Sequence, residues 1–177
     1  MSIYTKNPSN PNFLHPNKFQ LNFSRTPNVQ YFCQSINVPG ISIGDAVYTT
    51  PVLDMYFPGE KPTYDMLSVT FYVDEDLKTW KEIHDWIRAL NVPRNENKLK
   101  KLNPNSIVRP EYSDATITVL TSSNNPNIVF KFRDVFPLSL STFMLSTAES
   151  PTSIITADVT FRFLYYDIET VNTEPTA

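Results

Sequence analysis

Apolar and polar residues alternate with a period of two over much of this chain, and the alternation is most sustained near its end. From Ser153 to Asp167 one face carries Ala157, Val159, Phe161, Phe163 and Tyr165, and the other Asp158, Thr160 and Arg162, the mark of a long strand covered on one side only. Such a strand exceeds the roughly five or six residues usual in globular proteins, so it must find something to pair with. The same alternation predicts a first strand over Lys18–Arg25, with Phe19, Leu21 and Phe23 on its apolar side. Thr26-Pro27-Asn28 then predicts a turn into a second strand, Val29–Ile36, forming an antiparallel hairpin. Met66–Asp74 sets Leu67, Val69, Phe71 and Val73 against Ser68, Thr70 and Tyr72. Tyr112–Leu120 and Asn127–Arg133 are two further strands joined by a turn at Ser122–Pro126. Phe136–Leu145 is ambiguous, although Leu138-Ser139-Leu140-Ser141 alternates as a short strand does.

One segment has the helical period instead. Over Glu75–Leu90, Leu77, Trp80, Ile83, Trp86, Ile87 and Leu90 span one half of a helix and Lys78, Lys81, Glu82, Asp85 and Arg88 the other. Asp74-Glu75-Asp76 places carboxylates where a helix start presents unpaired N–H groups, and Val92-Pro93 stops the helix. Three strands, one helix and four strands predict a mainly β fold, a β-sandwich or barrel with one α-helix over a face or opening.

Two stretches lack a period. Ile41–Tyr64 is long, apolar and aromatic, with Val47, Tyr48, Val52, Leu53, Met55, Tyr56, Phe57 and Tyr64 interrupted by Pro51, Pro58-Gly59 and Pro62. A solvated connection would be polar, so the segment is either a pair of irregular edge strands on the same core or an arm that packs on a neighbouring subunit; its composition favours the arm. Arg94–Arg109 holds five basic residues against one acid, Glu96. It reads as a solvated loop, with contact to an acidic partner surface as the alternative.

Composition narrows the classes. A chain of 177 residues fits one domain of ordinary size: an extended N-terminal arm (1–16), a body (17–169) and a C-terminal tail (170–177). Fifteen prolines against three glycines favour extended segments joined by rigid turns. A net charge of −3 offers no general attraction to nucleic acid or anionic membrane. The absence of a secretion-signal core or membrane-length apolar run predicts a soluble, unexported chain without a membrane anchor. Cys33 is the sole cysteine, which excludes an intrachain disulfide and a thiolate metal site and leaves it as a small buried apolar residue.

Catalytic chemistry is sparse. His84 and Asp85 are helix neighbours, so they point about 100° apart and do not make a triad; His84 lies on the apolar arc, where a buried, hydrogen-bonded histidine is the simpler reading. His15 sits in the arm without a ligand pattern. There is no phosphate loop, nucleophile elbow or histidine pair at metal spacing, and Asp74–Asp76 lacks the glycine and ligand alternation of a calcium loop. The expectation is a protein that is not an enzyme and holds no cofactor or metal.

Four groups of residues, in order, carry a family resemblance. They are Pro16-Asn17-Lys18-Phe19-Gln20-Leu21; Phe32-Cys33 with Val38-Pro39-Gly40; Val73-Asp74-Glu75 leading to Trp86; and Phe136-Pro137 with Ala157-Asp158-Val159-Thr160-Phe161 and Tyr165-Tyr166-Asp167. On these the chain, from about Pro16 to Glu169, resembles the tail-tube family of contractile-tailed bacteriophages, which includes the main tube subunit and the tube-initiating proteins of the baseplate. The resemblance implies a virion structural protein whose sheets join edge to edge, six subunits to a hexameric ring, into one barrel around a channel; closure also answers the need of the long strand, since it removes sheet edges. It further implies that Ser68, Thr70, Asp158 and Thr160 face the channel, with Val159, Phe161 and Phe163 under the helix. Val47, Tyr48, Val52, Leu53, Met55, Tyr56, Phe57 and Tyr64 then lie on an arm touching adjacent subunits or the next ring. Its partners are copies of itself and other tail tube, baseplate or sheath proteins; DNA passes without specific binding, and the place is the virion tail, assembled in the host cytoplasm. The chain departs from the main tube pattern at Glu60-Lys61-Pro62-Thr63-Tyr64-Asp65, and Pro137–Leu145 looks more like the tube initiators, a lean towards a baseplate-proximal or initiating ring. The alternative is a free β-sandwich module that recognises carbohydrate or protein through Tyr48, Tyr56, Phe57 and Tyr64.

Overall fold

The computed structural model describes residues 12–91, 112–148 and 154–171. Within them the chain runs β1 (Phe19–Phe23), α1 (Pro27–Tyr31), β2 (Cys33–Asn37), β3 (Ile41–Thr49), β4 (Asp54–Tyr64), β5 (Leu67–Tyr72), α2 (Lys78–Asn91), β6 (Ser113–Leu120), β7 (Pro126–Leu140), β8 (Thr156–Arg162) and β9 (Tyr165–Thr170). The predicted basic segment 94–109 and most of the predicted N- and C-terminal extensions lie outside the described residues.

Seven strands form one antiparallel sheet in the order β1-β6-β7-β8-β5-β2, with β9 also on β7. The 15-residue β7 is long enough to serve two layers. Its residues 128–133 lie between β6 and β9, while residues 136–140 pair with β8. Asp134, at φ 53°, makes the change of direction. The result is a sandwich of β1-β6-β7-β9 against β7-β8-β5-β2. Leu21, Phe23, Ile117 and Phe132 from the first layer meet Leu67, Val69, Phe71, Val159 and Phe161 from the second, with Ile83 and Trp86 of α2 in the same core. The ring of Trp86 lies 6.1 Å from that of Phe161, and the Arg25 guanidinium covers its other side at 4.4 Å. Each such aromatic, fully buried, stabilises the fold by about 1.5–3 kcal/mol.

Several sequence expectations change here. The predicted hairpin of strands 18–25 and 29–36 does not form: Pro27, which fixes φ and has no N–H to lose, opens the short helix α1, and Val29 is buried beneath it. β1 then pairs with β6 and β2 with β5. The long final strand is two strands. β7 bends at Asp134, with β9 on residues 128–133 and β8 on residues 136–140, and the Leu164 N–H donates to the Arg133 carbonyl at the break (3.0 Å). Beyond it the alternation reverses, so Tyr166 packs on Phe132 while Tyr165 is exposed. Segments 127–133 and 136–140 are one strand, and Pro137 is tolerated because this half of β7 is an edge. Segment 41–64 is a regular two-stranded hairpin, separate from the main sheet.

Helix α2 starts three residues later than its periodicity implies. Leu77 has φ 56° and is exposed, off the apolar face. Asp74 does the capping: one carboxylate oxygen accepts from the Thr79 N–H (2.9 Å) and hydroxyl (2.7 Å), the other from the Lys78 N–H (3.1 Å). Burial pushes the Asp74 pKa up, but the hydrogen bonds from Thr79 and Lys78 outweigh it and hold the carboxyl below its ordinary value.

Two outcomes follow. Trp86→Ala empties the centre of the core and is expected to cost about 3–5 kcal/mol in denaturant unfolding. A folded-state pKa below the unfolded one means that the Asp74 cap contributes fully above the ordinary carboxylate range and loses its effect as pH falls through the lowered value. Asp74→Ala is therefore expected to cost about 0.5–1 kcal/mol at neutral pH, the low part of the range for a solvent-screened cap. Thermal melts of variant and wild type should converge in acid.

Candidate assembly surface

Strands β3 and β4 pair with each other from Ile41–Tyr64 at the root to Thr49–Asp54 near the tip. A two-stranded hairpin alone is marginal in water and needs a cover. Here the tip is locked by Thr50, whose hydroxyl donates to the Leu53 carbonyl (2.5 Å) and accepts from the Leu53 N–H (3.1 Å). Every residue of β3 is exposed, as is most of β4. Of the residues that the sequence pointed to, Val47, Tyr48, Val52, Leu53, Met55, Tyr56 and Phe57 all stand in solvent, Val52 at 94% of its full exposure. Tyr64 differs: it anchors the root, its ring 5.6 Å from Phe163 and 5.4 Å from Tyr166 of the subunit's own core. Ile41 and Ile43 are exposed beside it and were missed; an isoleucine at alternate positions of a strand was the available signal. The hairpin bends where the register shifts between Ile43 and Asp45. There Gly59 crosses Gly44 so closely that a Cβ on Gly59 would lie 2.4 Å from the Gly44 carbonyl oxygen, whereas one on Gly44 would meet nothing within 4 Å.

The four channel candidates come together. Ser68 pairs with Thr160 and Thr70 with Asp158 across β5 and β8. The Thr70 hydroxyl donates to the Asp158 carboxylate (2.6 Å), and the Ser139 and Thr160 hydroxyls are 2.5 Å apart. Ser35 and Asn37 of β2 extend the rows, opposite Thr70 and Ser68. Sequence reading missed Ser35, Asn37 and Ser139 because their neighbours are far away in the chain. One side of this layer is thus core and the other a field of hydroxyls and amides, as expected of an antiparallel layer wetted on one face.

The same layer has open ends. Among the described residues, β2 pairs only with β5, and residues 136–140 of β7 only with β8. A groove of about 930 Å³ separates β2 from β1 and is lined by Phe19, Leu21, Tyr31, Ile36, Val38 and Val119 among others. Cys33 also lines it, half-buried rather than enclosed, and burial pushes its thiol up to about 11, so the thiolate is scarce at neutral pH.

His84 does not sit as expected. It is half-exposed, its ring stacked on Trp80 at 5.0 Å, with Nδ1 3.4 Å from Asp85 Oδ1; the two flexible side chains close the angle that the helix opens. Asn28 of α1 donates to Glu82 Oε1 of α2 (2.6 Å), while burial raises the Glu82 pKa. Among the described residues no three His, Cys, Asp or Glu side chains gather as a metal set, and no helix is long and apolar enough to cross a membrane.

The profile of the phage tail tube protein family matches residues 7–169. The tail tube terminator protein of Enterobacteria phage T4 is 27% identical over 141 residues, covering 77% of this chain and 76% of that protein. Among solved structures, the tube terminating cap of the anti-feeding prophage shares the fold with a TM-score of 0.63 at 13% identity, over 97% of this chain and 100% of the other. A chain from the sheath–tube complex of the PVC extracellular contractile injection system, in its extended state, gives 0.62 at 15% identity, over 90% and 93%.

The glycine crossing gives a matched pair of variants. Gly59→Ala is expected to abolish the protection of hairpin amides in hydrogen exchange, and Gly44→Ala to leave it intact, with the melting of the main sheet unchanged in both.

Proposed function

The chain belongs to the phage tail tube protein family, and from that premise we propose that it forms a hexameric ring closing one end of a contractile tail's tube. The observation that carries this is the pair of open edges on the layer β7-β8-β5-β2. Four antiparallel strands give a subunit whose two outer strands run in opposite directions. Residues 136–140 of one copy then meet β2 of the next as an antiparallel pair, and the joint repeats head to tail. Such heterologous contacts make a ring when the rotation closes, and a closed ring leaves no sheet edge. The hydroxyl face turns inward and the core outward, with Ser68, Thr70, Asp158 and Thr160 on the channel wall. A wall of hydroxyls, the Asn37 amide and the Asp158 carboxylate, without clustered Lys or Arg, lets DNA pass without holding it.

The name of the T4 relative supports the terminating end of the tube. The initiating, baseplate-proximal ring is the second reading, favoured by the stretch 137–145. In either place the protein is structural rather than catalytic. It works by contact with tube, sheath or baseplate proteins in the virion tail, after assembly in the host cytoplasm. A free binding module that uses Tyr48, Tyr56 and Phe57 is the competing class.

Cysteine pairs test the joint. Within one subunit β2 and the end of β7 are three strand spacings apart, about 14 Å, too far for a disulfide. In a Cys33→Ser background, Ser35→Cys or Asn37→Cys combined with Ser139→Cys is expected to give a ladder of disulfide-linked species ending at the hexamer on non-reducing gels. A protein that stays monomeric by light scattering would support the free module. Rings that form but never cross-link would mean a different joint.

A further inference from the structure

One cation on the polar side of the layer takes no part in the ring joint. In β8 the buried Ala157, Val159 and Phe161 alternate with Thr156, Asp158, Thr160 and Arg162, so Arg162 stands on the same side as the hydroxyl rows. It is exposed and, among the described residues, its side chain has no hydrogen-bonded or ion-paired partner. Phe136 of β7 stands opposite it in the ladder. Asp158, the acid on the same strand and side, is four residues back, about 13 Å along the strand. Its carboxylate is engaged by the Thr70 hydroxyl (2.6 Å). Cations of the other layer are arranged differently: Lys131 lies 2.6 Å from Glu169 and Arg133 3.2 Å from Asp114. Arg162 has a full charge and no counterion among the described residues.

The proposed ring repeats this residue six times. Each subunit supplies four strands to the wall, so neighbouring copies of Arg162 are four strand spacings apart, about 19 Å measured across the strands. They form a belt at one level and not a cluster. Asp158 forms a second belt at another level. A guanidinium presents a fork of donors that fits phosphate oxygens, whereas a carboxylate repels them. Spacing sets the strength: arginines this far apart meet about one or two phosphates of a duplex at a time, and each phosphate neutralised makes affinity fall by about 0.9 decade per decade of salt. Such a contact detains DNA without holding it, as passage requires.

We infer that Arg162 is the phosphate-contact belt of the channel: six guanidinium groups at one level touch the backbone of duplex DNA in the tube, and the Asp158 belt further along the wall repels it. The two levels give the channel an axial order, attraction at one and repulsion at the other, that rows of hydroxyls lack. DNA is recognised by its phosphates, without regard to sequence. The inference rests on the ring proposal and names, within it, the residue by which the wall meets DNA.

Rings of the 177-residue chain, separated from free subunits by sizing, test this with a short fluorescent DNA duplex followed by anisotropy across a salt series. Wild-type rings are expected to bind it with an affinity that falls by about one to two decades per decade of salt. Arg162→Gln should form rings with the melting midpoint of wild type, bind the duplex roughly tenfold more weakly at low salt and lose most of the salt dependence. Arg162→Lys, which keeps a phosphate-binding charge, should retain most of both. Asp158→Asn should bind several-fold more tightly. A duplex held on the outside of the ring answers to neither residue, so unchanged binding in Arg162→Gln, or in Asp158→Asn, overturns the belt. Wild-type rings that ignore the duplex, or that prefer polyglutamate to it, do the same. A wild-type chain that never forms rings removes the ring proposal itself.

Discussion

The bend of β7 at Asp134 organises this subunit. A straight strand of 15 residues would extend one flat sheet; the left-handed backbone at Asp134 divides it between two layers. The C-terminal segment follows both halves of β7 and divides at Leu164 into β8 and β9, while β6 stays one strand and takes the bend as a register shift between Ser113 and Ala115. The division folds the apolar faces of the two layers onto each other, so that Phe23 and Phe161 come within 4.9 Å although they lie at opposite ends of the chain. It also leaves residues 136–140 with one strand neighbour, β8, among the described residues. Core and open edge are consequences of the same turn.

Energy then distributes unevenly. The main sheet and α2 hold the fully buried side chains Trp86, Phe71, Phe132, Phe161, Leu67 and Ile83, and their burial carries the stability of the subunit. The hairpin β3–β4 contributes little to it, since apart from Tyr64 its large side chains face water. Apolar surface on this scale is costly for a free monomer and ordinary for a component of an assembly.

Local periodicity was sufficient for the faces of the strands and insufficient for their partners. The alternation of Leu67, Val69 and Phe71 with Ser68 and Thr70 set β5 correctly, and with it the polar wall, because each residue's side of a strand depends only on its parity. Which strands meet is a non-local matter: sequence adjacency implied that β1 pairs with its successor, but Pro27 starts a helix and sends the chain to the far end of the sheet. The break at Leu164 was invisible for the same reason, since its cause is the bend in another strand. Leu77 fitted the helical period of α2, yet the Asp74 cap fixes the first turn after it. The hairpin had no readable period because large apolar side chains stand on both of its faces, Tyr48 with Phe57 on one and Val47 with Tyr56 on the other. The family, by contrast, was legible from ordered short motifs, which survive where pairing cannot be inferred.

Open β edges recruit any chain that presents a complementary strand, so a protein that assembles through them must restrict which ones are available. Along β4 Pro58 and Pro62 supply no N–H and Glu60 and Lys61 stand between them, which disfavours strand addition there, whereas β3 carries no proline and residues 136–140 of β7 carry one, Pro137. β2 carries no proline and no charge across its five residues, and among the described residues it has a strand partner on one side alone, β5. In the ring proposed above, backbone pairing falls on β2 and the end of β7, and the exposed apolar side chains of the hairpin lie on a separate element beside that joint.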